Sequence, residues 1–371
     1  MEKTFLLLGG YGNTGKIIAE LLIQQTNVKL VIAGRNGDKA AALCSKLNGR
    51  HQSNRCQPAV VDAADSNQLK TAMEKADVVI VASGTIDQVE TVARSALDCH
   101  IDYLDTQLST KIKIKKLTHL KPEIERAGCC FITDGGFHPG LPAALVRYVA
   151  GYFDQLHRAD LGSLIKLDWN QYSFSESTIN EMIDEFRLYQ PIAFQNGEWK
   201  SIGWNNYQKF NFGEPFGEKI CAPMLMQEML SLPATIPSIR ETGFYVAGFN
   251  WFTDYLVMPM VMVGSKIFPE KSPTMLGKLF VWSLRKFCTP PFRTILKLDA
   301  VGIRHGATAR LKLTVSHDDG YFLTAAAVVS CLKQFLNGKI RQSGLWFQGE
   351  IVHPETTIGD LQRMGISVKI E

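Results

Sequence analysis

The chain has 371 residues, of which 46% are hydrophobic and 20% charged, and its formal net charge is +4. This composition is typical of a globular protein with room for two or three domains and ample cores. The small net charge, without a dense run of Lys or Arg, excludes nucleic acid as an expected partner. No apolar run reaches the roughly 18 to 20 residues of a membrane-spanning helix. The closest run, residues 255–263, is short and contains Pro259.

The cysteines indicate a reducing compartment. Eight of them are scattered without C-x-x-C or Cys/His zinc spacing, so we expect free thiols and no metal site. Residues 1–3 show neither the charged nor the apolar region of a signal peptide. Both observations favour a cytoplasmic protein.

The first structural motif is a glycine turn between a strand and a helix. Residues 4–9 form an apolar run that predicts a buried strand, and residues 16–23 carry apolar side chains at helical spacing. The turn between them has the G-x-G-x-x-G order and consists of Gly10, Tyr11, Gly12, Asn13, Thr14 and Gly15. The three glycines allow a sharp turn, close approach to a pyrophosphate and close helix packing, respectively. The helix start then offers backbone N–H groups and a partial positive charge to phosphates.

The end of the second predicted strand indicates which dinucleotide binds. Residues 29–33 form this strand, and Gly34, Arg35 and Asn36 follow it. NAD-selecting sites carry an acidic residue near this point, whereas an arginine suits a 2′-phosphate. Arg35 therefore predicts NADP(H) as the cofactor. A solvated arginine in an ordinary loop is the alternative, and Tyr11 is expected to pack over the cofactor or a cleft.

Further strands and helices alternate after Arg35. The pattern predicts helices at residues 38–47, 68–75 and 87–97, and strands at residues 57–61, 77–82 and 100–105. Asp62 and Ala63 end the third strand, where Asp62 either contacts the adenine or serves as a turn or cap residue. Ser83 and Gly84 end the fourth strand, where small residues let a cofactor pass closely.

A lysine-rich segment and a glycine-rich loop complete the alternation. Residues 111–127 predict a solvated helix face, interrupted by Pro122, that does not form a binding patch. Residues 129–133 predict a sixth strand, the loop 134–142 includes Gly136, and residues 143–149 predict a helix. Six strands that alternate with helices predict an α/β fold with a doubly wound parallel sheet of the Rossmann type.

The remaining chain has a different pattern. Residues 161–172 and 307–317 predict strands, residues 176–188 a helix, and residues 191–223 hairpins, which together favour an α+β domain with a largely antiparallel sheet. Residues 320–336 predict a strongly apolar helix that must be buried, and residues 366–370 a last strand. We expect a nucleotide domain at 1–145, an α+β substrate and dimerisation domain at 146–318, and a C-terminal segment at 319–371 that returns to the first domain.

With these motifs in place, the chain resembles the saccharopine dehydrogenase-like family of NADP-binding oxidoreductases. The residues that carry the resemblance are those of the glycine turn and of segments 33–36, 77–84, 96–105, 136–143, 337–340 and 353–355. The resemblance implies a middle-domain sheet that holds substrate and a C-terminal helix that returns to the first domain. It also implies reversible hydride transfer, in the best-known members at a carbon bonded to nitrogen in an amino-acid substrate. The middle domain shows no evident arginine set for a multi-carboxylate substrate, so saccharopine itself is not expected as the substrate.

Candidate catalytic residues lie after the fifth and sixth strands, because ligands bind beyond the carboxyl ends of parallel strands. His138 is a candidate proton donor with a pKa near working pH, or else caps the following helix. Asp105 is a second catalytic candidate, or else holds the adjacent loop by hydrogen bonds. Thr106 and Gly136 are expected near the cofactor.

Two other kinds of function stay open at this stage. One is a binding module that senses NADP(H) without turnover. The other concerns residues 274–287, which mix Leu, Phe and Trp with Lys278, Arg285 and Lys286. Such a basic amphipathic helix packs on its own domain or on a second copy in a homodimer, or lies at a membrane surface.

Overall fold

The structure is a computed structural model that describes residues 2–174, 176–187, 189–267 and 272–371. Its strands are β1 (Thr4–Leu8), β2 (Lys29–Gly34), β3 (Cys56–Val60), β4 (Val78–Val81), β5 (Asp102–Asp105), β6 (Cys130–Thr133), β7 (Gln155–Lys166), β8 (Ile192–Gln195), β9 (Glu198–Ser201), β10 (Gln208–Asn211), β11 (Glu218–Pro223), β12 (Glu241–Ala247), β13 (Arg293–Arg304), β14 (Ala307–His317), β15 (Gly344–Phe347) and β16 (Ser367–Ile370).

The helices are α1 (Asn13–Gln25), α2 (Gly37–Arg50), α3 (Ser66–Met73), α4 (Val89–Asp98), α5 (Lys111–Ala127), α6 (Pro142–Ala150), α7 (Glu176–Arg187), α8 (Leu232–Thr235), α9 (Met258–Ile267), α10 (Ser272–Lys286), α11 (Gly320–Leu336), α12 (Gln348–Ile351) and α13 (Pro354–Arg363). Leu188, predicted to end the helix that forms α7, lies outside the described residues.

The chain divides into two compact units, and each contains segments that are distant in sequence. The first unit holds residues 1–144 and 324–364, and the second holds residues 145–323 and 365–371. Most of the C-terminal segment therefore belongs with the nucleotide domain. The last seven residues, however, belong to the second unit.

The first unit is built on a parallel sheet with the strand order β15-β6-β5-β4-β1-β2-β3. Its central strands are buried along their length, as in sheets covered by helices on both faces. The strand order reverses between β1 and β4, so a crevice opens beyond their carboxyl ends. The predicted Rossmann sheet is confirmed, with β15 as an additional strand at its edge.

The C-terminal segment completes this unit. β15 pairs in parallel with β6, with Gly344 opposite Cys130. Buried polar contacts hold α11 against α13: Lys333 Nζ lies 2.6 Å from Asp360 Oδ1, and Gln334 Nε2 donates to Thr357 Oγ1 at 2.9 Å. Burial alone raises the pKa of Asp360, but hydrogen bonds from Lys333 and Arg363 lower it below its usual value.

The second unit contains a nine-stranded mixed sheet with a main path β10-β11-β12-β7-β13-β14-β16. It is largely antiparallel, as predicted, but β7 and β12 pair in parallel. The strand predicted at 161–172 is displaced: β7 runs over Gln155–Lys166, and the chain then forms a short 3₁₀ turn. Asp168 Oδ1 accepts a hydrogen bond from Asn170 N–H at 3.2 Å and so caps this turn.

Helices α7, α9 and α10 form a separate core in the second unit. Ile183, Val261, Phe280 and Leu284 are buried together there. No helix in the described part of the chain is long and apolar enough to cross a membrane.

We expect a chain that ends at Ser316 to be insoluble or unfolded, because it lacks α11 and β15 and exposes the edge of β6. The control is a chain that ends at Met364, which loses only β16 and should remain soluble. Size-exclusion chromatography and circular dichroism measure the outcome. A monodisperse, folded and NADP-binding product of the shorter chain would contradict this prediction.

Candidate nucleotide and catalytic site

The glycine turn joins β1 to α1 through close backbone contacts. Gly9 has a φ of +76°, so the left-handed residue of the turn precedes the first glycine of the motif, whereas the sharp turn was expected at Gly10. Gly12 N–H donates to Gly9 O at 2.9 Å. A Cβ on Gly15 would overlap the Gly9 carbonyl, which explains why the helix approaches the turn closely only with glycine there.

The start of α1 fits an anionic pyrophosphate. Gly12 is the N-cap, no side chain caps the helix, and its first turn holds no acidic residue. Asn13 and Thr14 begin the helix with half-buried side chains. The positive end of the helix dipole is thus not neutralised by a carboxylate of the first turn. A Cβ on Gly12 would lie 3.1 Å from Gly9 O, so the turn leaves little room for a side chain at this position.

The end of β2 is tied to the same turn. Tyr11 Oη accepts a hydrogen bond from Asn36 N–H at 3.0 Å, and a Cβ on Gly34 would lie 2.5 Å from this oxygen. Asn36 Oδ1 in turn accepts from Lys39 N–H at 2.9 Å and caps α2. Arg35 is exposed between them and has no ion-pair partner among the described residues. Its guanidinium remains available for a 2′-phosphate.

Asp62 is held in a turn after β3. Its Oδ1 accepts from Ala64 N–H at 3.0 Å, and its own N–H donates to Gln68 Oε1 at 3.0 Å. Asp62 is therefore a turn residue, which is one of the two roles that the sequence left open. A contact of Asp62 or Ala63 with the adenine stays a prediction.

Small polar residues connect the ends of β4 and β5. Ser83 Oγ lies 3.1 Å from Thr85 Oγ1, and Gln107 Nε2 donates to Ser83 O at 3.1 Å. Thr106 N–H donates to Val81 O at 3.0 Å. A Cβ on Gly9 would lie 2.6 Å from Ser83 Cβ, so the segment with Ser83 and Gly84 borders the glycine turn directly.

A buried ammonium joins the ends of β5 and β6. Lys113 Nζ lies 2.9 Å from Asp105 Oδ1, 2.7 Å from Asp134 Oδ1 and 2.6 Å from Gln107 O. The side chains of Lys113, Asp105 and Asp134 are fully buried. Burial alone lowers the pKa of Lys113, but the two carboxylates raise it above its usual value, so the amine is charged at neutral pH. We call these three residues the buried triad.

The carboxylates of the buried triad are also hydrogen-bonded by neutral groups. Asp105 Oδ2 accepts from Thr133 Oγ1 at 2.8 Å, and Ser109 Oγ donates to Asp134 Oδ2. Burial raises the pKa of Asp134, and the charge of Asp105 adds to this effect. Asp105 therefore holds the adjacent loops, which is the alternative that the sequence left open. Its catalytic role stays a prediction.

The buried position of Lys113 corrects the expectation that the lysines of α5 are solvated. Leu117, Leu120 and Ile124 are fully buried and follow Lys113 by four, seven and eleven residues, so all four share one helical face. This spacing was visible in the sequence. A cation on an otherwise apolar stripe was the signal for a buried ion pair. Pro122 does not interrupt the helix, which continues to Ala127.

The loop after β6 begins at a strained residue. Asp134 has a φ of +59°, a conformation that few residues other than glycine adopt, and its side chain is fixed by the buried triad. Gly136 has a φ of +146°, and its carbonyl accepts from Gln348 Nε2 at 3.1 Å. The loop that carries His138 is thus held from both sides within the first unit.

His138 is neutral at physiological pH in this structure. Burial lowers its pKa to about 4, although its side chain is not fully shielded from solvent. A pKa near working pH, as expected from the sequence, is therefore wrong. A neutral imidazole accepts a proton but does not donate one as an imidazolium does.

We expect Lys113→Met to lower the free energy of unfolding by about 3 to 5 kcal/mol, because two carboxylates then remain buried without a cation. Lys121→Met on the same helix removes an exposed pair with Glu125 and should cost less than about 1 kcal/mol. Urea denaturation followed by circular dichroism measures both. Equal, small losses for the two variants would show that the buried triad does not stabilise the fold.

Comparison with known proteins agrees with this geometry. Residues 5–132 match the family described as the saccharopine dehydrogenase NADP binding domain. No curated protein matches the chain in sequence.

Solved structures resemble the chain over its whole length at low identity. The apo saccharopine dehydrogenase (L-Glu forming) from Saccharomyces cerevisiae is 16% identical, with a TM-score of 0.69 over 100% of this chain and 99% of that one. The C. glutamicum DAP dehydrogenase in complex with DAP is 13% identical, with a TM-score of 0.50 over 98% of each chain. At such identities the likeness establishes the fold alone. Residues 5–132 therefore match the saccharopine dehydrogenase NADP binding domain, and the whole chain has the fold seen in saccharopine dehydrogenase.

Proposed function

We propose that the protein is an NADP(H)-dependent oxidoreductase that transfers hydride at a carbon bonded to nitrogen or oxygen in a small amino-acid-like or carbonyl substrate. The observation that carries the proposal is the position of Arg35, exposed beside an uncapped helix start at the glycine turn. A bidentate guanidinium suits the 2′-phosphate, and the helix start suits the pyrophosphate. NADP(H), bound on these groups, supplies or accepts the hydride.

His138 is the residue that we assign to proton transfer. With a pKa of about 4, its imidazole is neutral and accepts the proton that an amine or alcohol loses as its carbon gives up a hydride. The buried triad is assigned a positioning role, because it fixes the loops after β5 and β6 that carry Thr106 and His138.

We propose a cytoplasmic location because the cysteines form no disulfides. All eight cysteines are free in the structure, and burial raises the pKa of Cys44 and Cys130 to about 11. Thiols of this kind are unreactive, and a protein without disulfides suits the cytoplasm.

We expect Arg35→Ala to weaken NADPH binding by about 10- to 100-fold, because a charge-assisted bidentate contact is lost. NADH binding should change less than about twofold, since NADH lacks the 2′-phosphate. Arg126→Ala, an exposed arginine at the end of α5, is the matched control. Isothermal titration with both cofactors measures the difference. If wild type binds NADH as tightly as NADPH, or if Arg35→Ala weakens both equally, the assignment is wrong.

The second test concerns turnover and its pH dependence. NADPH oxidation is followed with a panel of 2-oxo acids plus ammonia, aldehydes and ketones, and the reverse reaction with the matching amines and alcohols. His138 is active as a base only when neutral, so its contribution is present above pH about 4 and is lost as the pH falls through that value. His138→Ala should lower kcat for amine or alcohol oxidation about 100-fold or more, while NADPH affinity stays within about twofold.

Two outcomes would contradict this assignment. Unchanged kcat in His138→Ala would move proton transfer to another group. Tight NADPH binding without oxidation by any member of the panel would favour the binding-only function that the sequence left open.

A further inference from the structure

Exposed apolar side chains are concentrated in one part of the second unit. Among the described residues, fourteen large hydrophobic side chains are exposed, and eight of them lie between residues 251 and 282. These eight are Trp251, Tyr255, Leu256, Met260, Met262, Val263, Met275 and Trp282. Single exposed apolar residues are ordinary, but a concentration of eight in one helical segment points to an interaction surface.

The helical segment that ends with α9 is apolar on both sides. Val257 and Val261 are buried in the helical core, while Tyr255, Met260 and Val263 point to solvent. A helix that is hydrophobic all round normally lies inside a protein or in contact with lipid. The apolar side chains on its outer side are exposed, although its composition is that of a helix with contacts on both sides.

Helix α10 carries a second group of exposed apolar side chains, and basic residues lie on the same helix. Its inner side buries Leu276, Phe280 and Leu284. Its outer side carries Met275 and Trp282, which are exposed and seven residues apart, together with the cations described below.

The two helices that carry these residues lie against each other. Gly264 of α9 faces Leu276 of α10, where a Cβ would lie 2.9 Å from the leucine side chain. At the other end the ring of Phe252 lies 5.9 Å from that of Trp282 and stacks at 4.5 Å on Phe287. Trp251 lies 5.8 Å from Phe287. We call the eight exposed residues the apolar face.

The charges around the apolar face are positive. Lys278, Arg285 and Lys286 are exposed and, with Trp282, line a cavity of about 460 Å³. Arg285 Nη2 donates to Tyr172 O at 2.8 Å, so the guanidinium is held in place. Neither Lys278 nor Lys286 has an ion-pair partner among the described residues.

Basic residues outnumber acidic ones in the two stretches that carry the apolar face. Residues 251–264 and 275–288 contain three basic residues and one acidic residue, Asp254, a net charge of +2. Asp254 Oδ1 accepts from Phe249 N–H at 2.9 Å, which binds this carboxylate to the backbone. The excess of positive charge in these two stretches favours an anionic partner.

We propose that the apolar face docks on an anionic membrane surface, with its aromatic and methionine side chains at the acyl boundary and Lys278, Arg285 and Lys286 among the headgroups. Apolar residues next to basic ones are the composition that binds anionic bilayer interfaces. A second copy of the chain is the competing occupant. A two-fold interface would bring two faces of the same net positive charge against each other, so the charge pattern disfavours it.

The first measurement is flotation of the full-length protein with vesicles. Binding to vesicles of phosphatidylcholine with phosphatidylglycerol should exceed binding to phosphatidylcholine alone, and should weaken as salt is added. Lys278→Gln with Lys286→Gln should weaken partitioning about 25-fold, about fivefold for each charge. Lys115→Gln with Lys121→Gln, on an exposed side of α5 in the first unit, is the matched control and should leave partitioning unchanged.

The apolar contribution is tested with residues of equal exposure. Tyr255 inside the apolar face and Trp204 outside it are both 79% exposed. Tyr255→Ser with Met275→Ser should weaken vesicle binding at least tenfold, whereas Trp204→Ser should not change it. Thermal unfolding and NADPH titration of each variant check that the fold is retained, as expected for exposed positions.

Three results would overturn the proposal. The first is no binding to anionic vesicles, and the second is equal binding to both kinds of vesicle. The third is a dimer in sedimentation that Tyr255→Ser with Met275→Ser dissociates while vesicle binding is absent, which would assign the apolar face to a second copy.

Discussion

A buried ammonium placed between two carboxylates is the interaction on which the loops after β5 and β6 depend. Three hydrogen bonds satisfy Lys113 Nζ, and they end on Asp105, Asp134 and the carbonyl of Gln107. Desolvated charges are tolerated only with such complete pairing. The requirement fixes the start of α5 and the ends of β5 and β6 relative to one another. Asp134, whose φ is +59°, is held at the start of its loop by the ion pair with Lys113.

The fixed loops after β5 and β6 lie at the sheet edge toward which a bound dinucleotide would extend. The glycine turn follows β1, and β4 and β5 lie on the same side of β1 in the sheet, followed by β6. A dinucleotide whose pyrophosphate lies on the turn extends toward these later strands. Loops that are fixed by the buried triad, and not by solvent-exposed contacts, keep Thr106 and His138 in constant positions. Such preorganisation is what the proposed hydride transfer would need from the protein.

Features that depend on residues close together in the chain were predictable from the sequence, and features that depend on distant residues were not. The glycine turn, β14 and α11 depend on near neighbours in the chain, and their positions were predicted closely. The parallel pairing of β7 with β12 depends on residues far apart in sequence, so no local pattern indicates it. The neutral state of His138 likewise depends on burial by the folded chain. Lys113 was misjudged because a lysine is usually solvated, although its apolar helical neighbours indicated otherwise.

A crystal structure of the protein with NADP⁺ tests the central claim most directly. We expect the 2′-phosphate within about 3 Å of the Arg35 guanidinium and the pyrophosphate on the amides that begin α1. We also expect the nicotinamide beside the loops after β5 and β6, on the side of His138. A 2′-phosphate remote from Arg35, or a nicotinamide remote from both loops, would contradict this claim.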